Sequence, residues 1–234
     1  MPDRTPLDLI HLQAAALFRF DAAGRITGTN EPDPTPGPRL FLGRSREGSV
    51  WRFGTDVSDD LAAGLDGILR REPIEDDLEA LPVCFDALVR LLESHAPVAS
   101  IWSGPAWVVP AGVSPAPWIA VASNLGPRQC AGALPMFASD TAPAQPYAAV
   151  VVDRCIVSVC SCARITDDVS EAGLQTVAAH RGRGYGGATT AAWAAAVRAT
   201  GRIPLYSTSW DNHASRRVAA KLGLVRYGVD LSIT

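Results

Sequence analysis

The chain has 234 residues, 47% of them apolar and 19% charged, with a formal net charge of −3. This length allows one large domain or two small ones, and the acidic balance argues against a nucleic-acid partner bound through general basicity. No apolar run approaches the roughly 18 residues of a membrane span, so no membrane partner is expected. Nothing points to secretion, and the five cysteines are expected to be reduced thiols in a cytoplasmic protein.

The N-terminal part, residues 1–100, has the pattern of an α+β domain, to which the sequence assigns no role. Two hairpins are predicted, ALFRFD with RITGTN and RLFLG with SVWRFG. The segment EPDPTPGP between them is a loop, because its prolines lack backbone donors. Ser58 is the predicted N-cap of a helix that ends before Pro73, and a second helix is predicted from about Val83 to His95.

A proline-rich stretch over residues 104–146 follows, and we place the domain boundary at its start, which makes residues 101–234 the second domain. Within this stretch WIAVAS has the character of a strand, and RQCAGALPMFA that of a short helix. Beyond it the predicted order of elements is typical of α/β structure. Two strands are predicted in PYAAVVVDRCIVSVCSCARI, with a turn at Asp153–Arg154, and a third strand in EAGLQTVA. A helix follows over about residues 184–200 and is stopped by Gly201. The last predicted elements are a strand IPLYSTSW, a helix NHASRRVAAKLG and a strand region LVRYGVDLSIT.

The stretch HRGRGYGGATTAAW places four glycines at the start of an alanine-rich helix. A helix begins with unpaired N–H groups and a partial positive charge, and glycines let several of these groups approach an anion, most often a phosphate. A nucleoside-triphosphate loop is excluded because no lysine is present. The spacing of Gly182, Gly184 and Gly187 formally fits a dinucleotide fingerprint, but no acid follows until Asp211. A merely tight strand-to-helix turn stays an alternative.

RGRGYG at residues 181–186 and DNHASRRVAAKLGL at residues 211–224 resemble two motifs of the GNAT superfamily of acyl-CoA-dependent N-acetyltransferases. RGRGYG, residues 181–186, matches the R/Q-x-x-G-x-G/A loop of that superfamily. DNHASRRVAAKLGL resembles its second motif at Asn212, Ser215, Lys221, Leu222 and Gly223, with Leu224 in place of the usual Phe. The resemblance covers about residues 117–234. It implies an α/β (α+β) chain whose C-terminal domain is a mixed, splayed β-sheet flanked by helices.

The resemblance also implies acetyl-CoA as cosubstrate, without a metal. Its pantetheine arm would lie along the strand EAGLQTVA, its pyrophosphate on the glycine loop, and a polar contact would come from the second motif. The cofactor-binding residues implied in this way are Leu174, Thr176, Val177, Arg181, Gly182, Arg183, Gly184, Tyr185, Gly186, Gly187, Asn212 and Ser215.

For catalysis the resemblance implies direct attack of an amine on the thioester, with main-chain N–H groups polarising the carbonyl. Glu171 is the candidate general base, since it opens the cofactor strand near where many family members carry a glutamate; a solvated carboxylate is the alternative. Many members place a tyrosine seven residues after the motif asparagine, and here that position is Ala219. The departure leaves open which group protonates the thiolate, and it leaves a non-catalytic acyl-CoA sensor or binding module as the alternative function.

The sequence leaves two classes of acceptor open, a small-molecule amine and a protein amino group. It is also compatible with a homodimer. Trp102, Trp107 and Trp210 are candidates to line its pocket. Cys160 and Cys162 lie two apart on a predicted strand and therefore share one face. Because this is not the C-x-x-C spacing of paired metal ligands, we expect buried apolar thiols there.

Overall fold

The computed structural model describes residues 4–117, 145–153 and 155–234. The chain forms two compact units. The first comprises Met1–Ala106, Thr208–Asp211 and Arg226–Thr234, and the second Trp107–Ser207 and Asn212–Val225. The return of the chain into the first unit is not visible in the sequence. The strand predicted in WIAVAS and the helix predicted in RQCAGALPMFA lie outside the described residues.

The first unit contains four strands that neighbour one another in the order β4-β3-β10-β5, a two-stranded hairpin β1-β2, and three helices. The pairs β3–β4 and β10–β3 are antiparallel. The elements are α1 Pro6–Leu17, β1 Phe18–Phe20, β2 Ile26–Thr29, β3 Leu40–Ser45, β4 Gly48–Phe53, α2 Asp59–Leu69, α3 Phe85–Glu93, β5 Ile101–Val108 and β10 Val225–Ile233.

Both predicted hairpins and both predicted helices of this part are confirmed. Ser58 caps α2, its Oγ accepting from the N–H of Leu61 at 3.3 Å. The sequence analysis missed α1, and the strand predicted from ALFRFD therefore begins only at Phe18. A capping box starts this helix, in which Thr5 Oγ1 accepts from Asp8 N at 3.2 Å and Asp8 Oδ2 accepts from Thr5 N at 3.1 Å.

The core of the first unit is made of branched aliphatic side chains. Leucines of β3, α2 and α3 pack with Leu231 and Ile233 of β10. Leu65, Leu88 and Leu92 are completely buried. At about 25 cal/mol per Å² of apolar surface removed from water, the burial of each such side chain stabilises the fold by about 1.5–3 kcal/mol.

The described residues of the second unit form four strands in the order β9-β8-β7-β6, two α-helices and a short 3₁₀ helix Ala178–His180. β6–β7 and β7–β8 are antiparallel, whereas β8–β9 is parallel. The sheet is therefore mixed, as predicted, and the predicted order of strands and helices is confirmed. The elements are β6 Ala148–Val152, β7 Cys155–Ile165, β8 Val169–Thr176, α4 Tyr185–Ala199, β9 Ile203–Ser207 and α5 His213–Leu222.

Small side chains let α4 lie close to this sheet. Ala192, Trp193 and Ala194 of the helix pack with Cys160 and Cys162 of β7. Trp193 Nε1 donates to Cys162 Sγ at 3.3 Å. The expectation that these two cysteines are buried is confirmed; burial raises the pKa of the Cys162 thiol above its usual value. The thiol at Cys155, in contrast, is exposed.

Candidate functional site

The strands β8 and β9 pair over only three residues and then part. The parallel register joins Val169 with Ile203, Ser170 with Pro204 and Glu171 with Leu205. Beyond Glu171, β8 continues to Thr176 with β7 as its partner, and β9 continues to Ser207. Within the described parts of the chain, no strand pairs with the β9-facing edge of β8 past Glu171, and a bound molecule can supply a main-chain partner there. This is the splay that the sequence resemblance implied.

The glycine loop joins this open strand to α4. Gly182 and Gly184 have φ of +78° and +83°, a conformation that glycine adopts without steric cost. Gly184 is the N-cap of α4, and no side-chain hydrogen bond caps the helix there. The first turn of a helix leaves N–H groups without intrahelical partners. At this point the loop thus offers main-chain donors and the positive end of a helix dipole to an anion.

Gly186 lies where the first turn of α4 meets β8 and α5. A Cβ added there would lie 3.4 Å from Leu174 Cδ2, 3.6 Å from Thr176 Oγ1 and 3.7 Å from Val218 Cγ2. The structure therefore brings together the predicted cofactor strand, the predicted loop and the helix that carries the second motif. Val177 is oriented differently: its side chain packs on the cluster around Tyr147 and Val159.

Hydroxyl groups hold the first turn of α4 against the sheet. Ser158 Oγ lies 2.8 Å from Thr176 Oγ1 and 3.4 Å from Thr189 Oγ1. Thr189 in turn donates to the carbonyls of Tyr185 and Gly186 at 3.1 and 3.0 Å. Thr189 and Ser158 are completely buried. No motif in the sequence pointed to them, since Ser and Thr at these positions are also ordinary in a strand and a helix.

The loop arginines make main-chain contacts. Arg181 Nε donates to the carbonyl of Thr176, the last residue of β8, at 3.2 Å. Arg183 donates to the carbonyl of Ala179 at 3.5 Å. Both residues are exposed, and the ring of Tyr185 stacks on that of His180 with centroids 6.4 Å apart. The arginines thus keep positive charge at the mouth of the loop while bracing its backbone.

Glu171 is the last residue of β8 paired to β9, and it is 1% exposed. The reading of Glu171 as a solvated carboxylate is therefore wrong: the side chain lies inside the second unit. Its Oε2 is 3.4 Å from Ser207 Oγ, which donates to it. On the edge of β8 that faces β7, Glu171 is aligned with Arg164. A buried carboxylate beside the opening of two strands has the location that a base for a reaction in that opening requires; its role as a base stays a prediction.

Asn212 and Ser215 lie at the start of α5. The side-chain oxygen of Asn212 accepts from Ser215 N at 3.1 Å and caps the helix, while the carbonyl of Ser215 accepts from the hydroxyl of Tyr206 at 3.5 Å. Burial raises the pKa of Tyr206 to about 12, so this hydroxyl is protonated at neutral pH. Ala219 is buried. The predicted contact of Asn212 and Ser215 with a cofactor arm stays a prediction.

Among the described residues no group of three or more His, Cys, Asp or Glu side chains could hold a metal ion. No helix of the described part is long and apolar enough to cross a membrane. Of the tryptophans proposed for an acceptor pocket, Trp107 lies beside Tyr206, with ring centroids 6.0 Å apart.

Comparison with known proteins finds a family match in the same part of the chain. Residues 162–230 match the family model of FR47-like proteins, a range that includes both motifs on which the sequence resemblance rests, and the resemblance is confirmed there. No curated protein matches the sequence.

The solved structures to which the chain is similar include proteins from three organisms. An acetyltransferase of the GNAT family from Colwellia psychrerythraea is 13% identical, over 99% of this chain and 97% of that one, with a TM-score of 0.48. A GCN5-related N-acetyltransferase-like protein from Streptococcus suis is 15% identical, over 86% and 89%, with a TM-score of 0.47. A protein assigned to the GNAT family from Novosphingobium aromaticivorans is 17% identical and has a TM-score of 0.47, but only 58% of this chain and 65% of that one are covered.

Proposed function

We propose that this protein, whose C-terminal half is of the GNAT type, is an acyltransferase that moves an acetyl group from acetyl-CoA to an amine. Two observations carry the proposal: β8–β9 pairing ends at Glu171 and Leu205, and β8 leads through a loop with two left-handed glycines into a helix start that has no side-chain cap. An open strand edge fits the amide-containing arm of CoA, and a glycine-rich helix start fits its diphosphate.

The charge of the second unit supports an anionic cosubstrate. Residues 172–207 and 212–225, which include the last five residues of β8, the loop, α4, β9 and α5, hold seven basic residues and no acidic one. Arg181 and Arg183 are part of this set and belong to the loop itself. A basic surface raises the local concentration of an anion and speeds its association.

Acetyl-CoA supplies an activated thioester, and the remaining work is done by the chain. The main-chain edge of β8 aligns the cosubstrate, and the loop and α4 hold its phosphates. Glu171 accepts a proton from the ammonium form of the acceptor, because an alkylamine is mostly protonated at neutral pH. The amine nitrogen then forms a bond to the carbonyl carbon and the carbon–sulfur bond breaks. The nitrogen gives up its second proton to solvent as the amide forms, and the thiolate takes up a proton from solvent. Such a mechanism relies chiefly on positioning.

The experiment that tests the proposal has two steps. Calorimetry with CoA, and with NAD as the control, measures binding; we expect heat with CoA only, together with a rise in melting temperature. Incubation with labelled acetyl-CoA and a panel of diamines, amino acids and peptides then measures transfer above the rate in buffer. Binding without transfer to any amine would favour the acyl-CoA sensor, and the absence of CoA binding would refute both functions.

A further inference from the structure

Ser207 stands at a particular place in the second unit: it is the last residue of β9 and lies where β8 and β9 separate. Its Oγ donates to Glu171 Oε2 over 3.4 Å. The two residues that carry the hydroxyl and the carboxylate are 36 positions apart in the chain and belong to different strands. No motif, and no feature of the glycine loop, includes Ser207.

The register of the two strands explains this contact. Glu171 is aligned with Leu205, and side chains of aligned residues lie on the same face of a sheet. Ser207 is two residues further along β9 and so returns to that face. The diagonal separation is within reach of a long side chain, and glutamate spans it. Because the partner strand has ended its pairing, Ser207 can contact the carboxylate at the mouth of the opening.

A buried carboxylate depends on such donors. Glu171 is 1% exposed, and moving a charged group out of water is costly unless hydrogen bonds replace the lost solvation. A hydroxyl that donates to one carboxylate oxygen stabilises the charged form and also restricts rotation about the last side-chain bond. The orientation of a general base matters because proton transfer requires contact at hydrogen-bond distance.

We propose that Ser207 is a positioning residue, which orients the carboxylate of Glu171 for proton transfer from the acceptor amine. This inference rests on the proposed function and adds a residue to it. The hydroxyl does not react; its hydrogen bond to Oε2 holds the carboxylate group in one orientation.

The test uses the full chain with Ser207→Ala and its conservative counterpart Ser207→Thr. We expect kcat of the alanine variant to fall about tenfold, the amount that follows from losing a hydrogen bond to a charged group, while KM for acetyl-CoA is unchanged. Threonine, which keeps the hydroxyl, should restore most of the rate. Ser209→Ala is the matched control: its hydroxyl is similarly placed in the chain but bonds to Asp211, and it should leave kcat unchanged.

A double-mutant cycle separates orientation of Glu171 from a general structural effect. In the Glu171→Gln background, Ser207→Ala should cause no further loss of kcat. Additive losses in the cycle, or an unchanged kcat in Ser207→Ala, would overturn the assignment. If the alanine variant does not fold, Ser207→Cys replaces the strong donor by a weak one and should lower kcat in the same way. Failure of the wild-type protein to transfer acetyl to any amine would overturn the proposed function, and the role of Ser207 with it.

Discussion

The two units of the molecule differ in charge and in the size of the side chains that fill them. The first unit has 19 acidic and 11 basic residues, a formal charge of −8, whereas the second has 5 acidic and 10 basic residues, a formal charge of +5. Leucines dominate the core of the first. Alanines, valines, cysteines and one tryptophan form the core around α4 in the second.

The difference shows how each unit uses its residues. Large aliphatic side chains bury much apolar surface, so the first unit gains stability from its core. Small side chains bury less but allow backbones to approach closely, and in the second unit this places the start of α4 beside Leu174 and Thr176. The second unit is therefore built around a close main-chain approach and a positive charge, and its substitutions should affect binding and turnover more than those of the first.

The largest expected effect is on turnover, and it is expected from a carboxylate of the second unit and not from one of the first. Glu171→Gln should lower kcat about 10²–10⁴-fold, the usual contribution of a general base, with little change in acetyl-CoA affinity. Asp66 of the first unit also accepts two side-chain hydrogen bonds, from Trp51 and Arg70, so Asp66→Asn is the matched control and should keep kcat. Steady-state kinetics of both variants check this, and equal losses would erase the functional contrast between the units.

The two cores should be sensitive to opposite changes of side-chain volume, the first to a decrease and the second to an increase. Leu65→Ala should lower the free energy of unfolding by about 2–5 kcal/mol, because Leu65 is completely buried and leaves a cavity. In the second unit the sensitive change is an increase: Ala192, 1% exposed, has no room for a larger side chain, and Ala192→Leu should cost about 1–3 kcal/mol.

Urea unfolding measures both values, and acetyl-CoA titration completes the comparison. Leu65→Ala, while folded, should bind acetyl-CoA like the wild type, whereas Ala192→Leu should bind it more weakly because it displaces α4. A weaker affinity in Leu65→Ala alone would contradict this division of roles.

The two ends of α4 offer a matched pair of glycines. Gly184 and Gly201 have φ of +83° and +87°, and an added Cβ meets nothing within 4 Å at either position. Alanine at either site should therefore cost a similar backbone strain of about 1–2 kcal/mol. Only Gly184→Ala is expected to weaken acetyl-CoA binding as well, about tenfold, since it distorts the donors of the loop. Calorimetry measures the acetyl-CoA affinity of both variants. Equal affinities would mean that the loop does not hold the phosphates.

The smallest expected effect concerns salt. Affinity for acetyl-CoA should fall several-fold between about 0.05 M and about 0.5 M salt, because exposed charges are screened over the shortened Debye length. Arg183→Gln should reduce this salt dependence. Arg46→Gln, which removes an exposed arginine of the first unit, should leave it unchanged, and a similar change in both variants would show that the positive charge acts non-specifically.

Local signals allowed much of this fold to be predicted. Turn residues between alternating strands indicated both hairpins, Ser58 indicated the start of α2, and the glycines indicated the turn before α4, because these preferences depend on a few neighbouring residues. The helix α1 was missed, since its capping box has Asp8 rather than Glu or Gln at the third position. The glycines of the first motif were sufficient to predict the turn before α4, whose binding of phosphate stays a prediction.

The amino-acid sequence by itself determined the order of the elements, the glycine conformations and the excess of basic residues around the loop. Tertiary structure alone decided where β8 and β9 stop pairing, that Glu171 is buried, that Ser207 reaches it, and that β10 returns to the first unit. The physical reason is distance along the chain. Caps and turns act between residues a few positions apart, whereas strand register and burial depend on contacts between segments that no local preference relates.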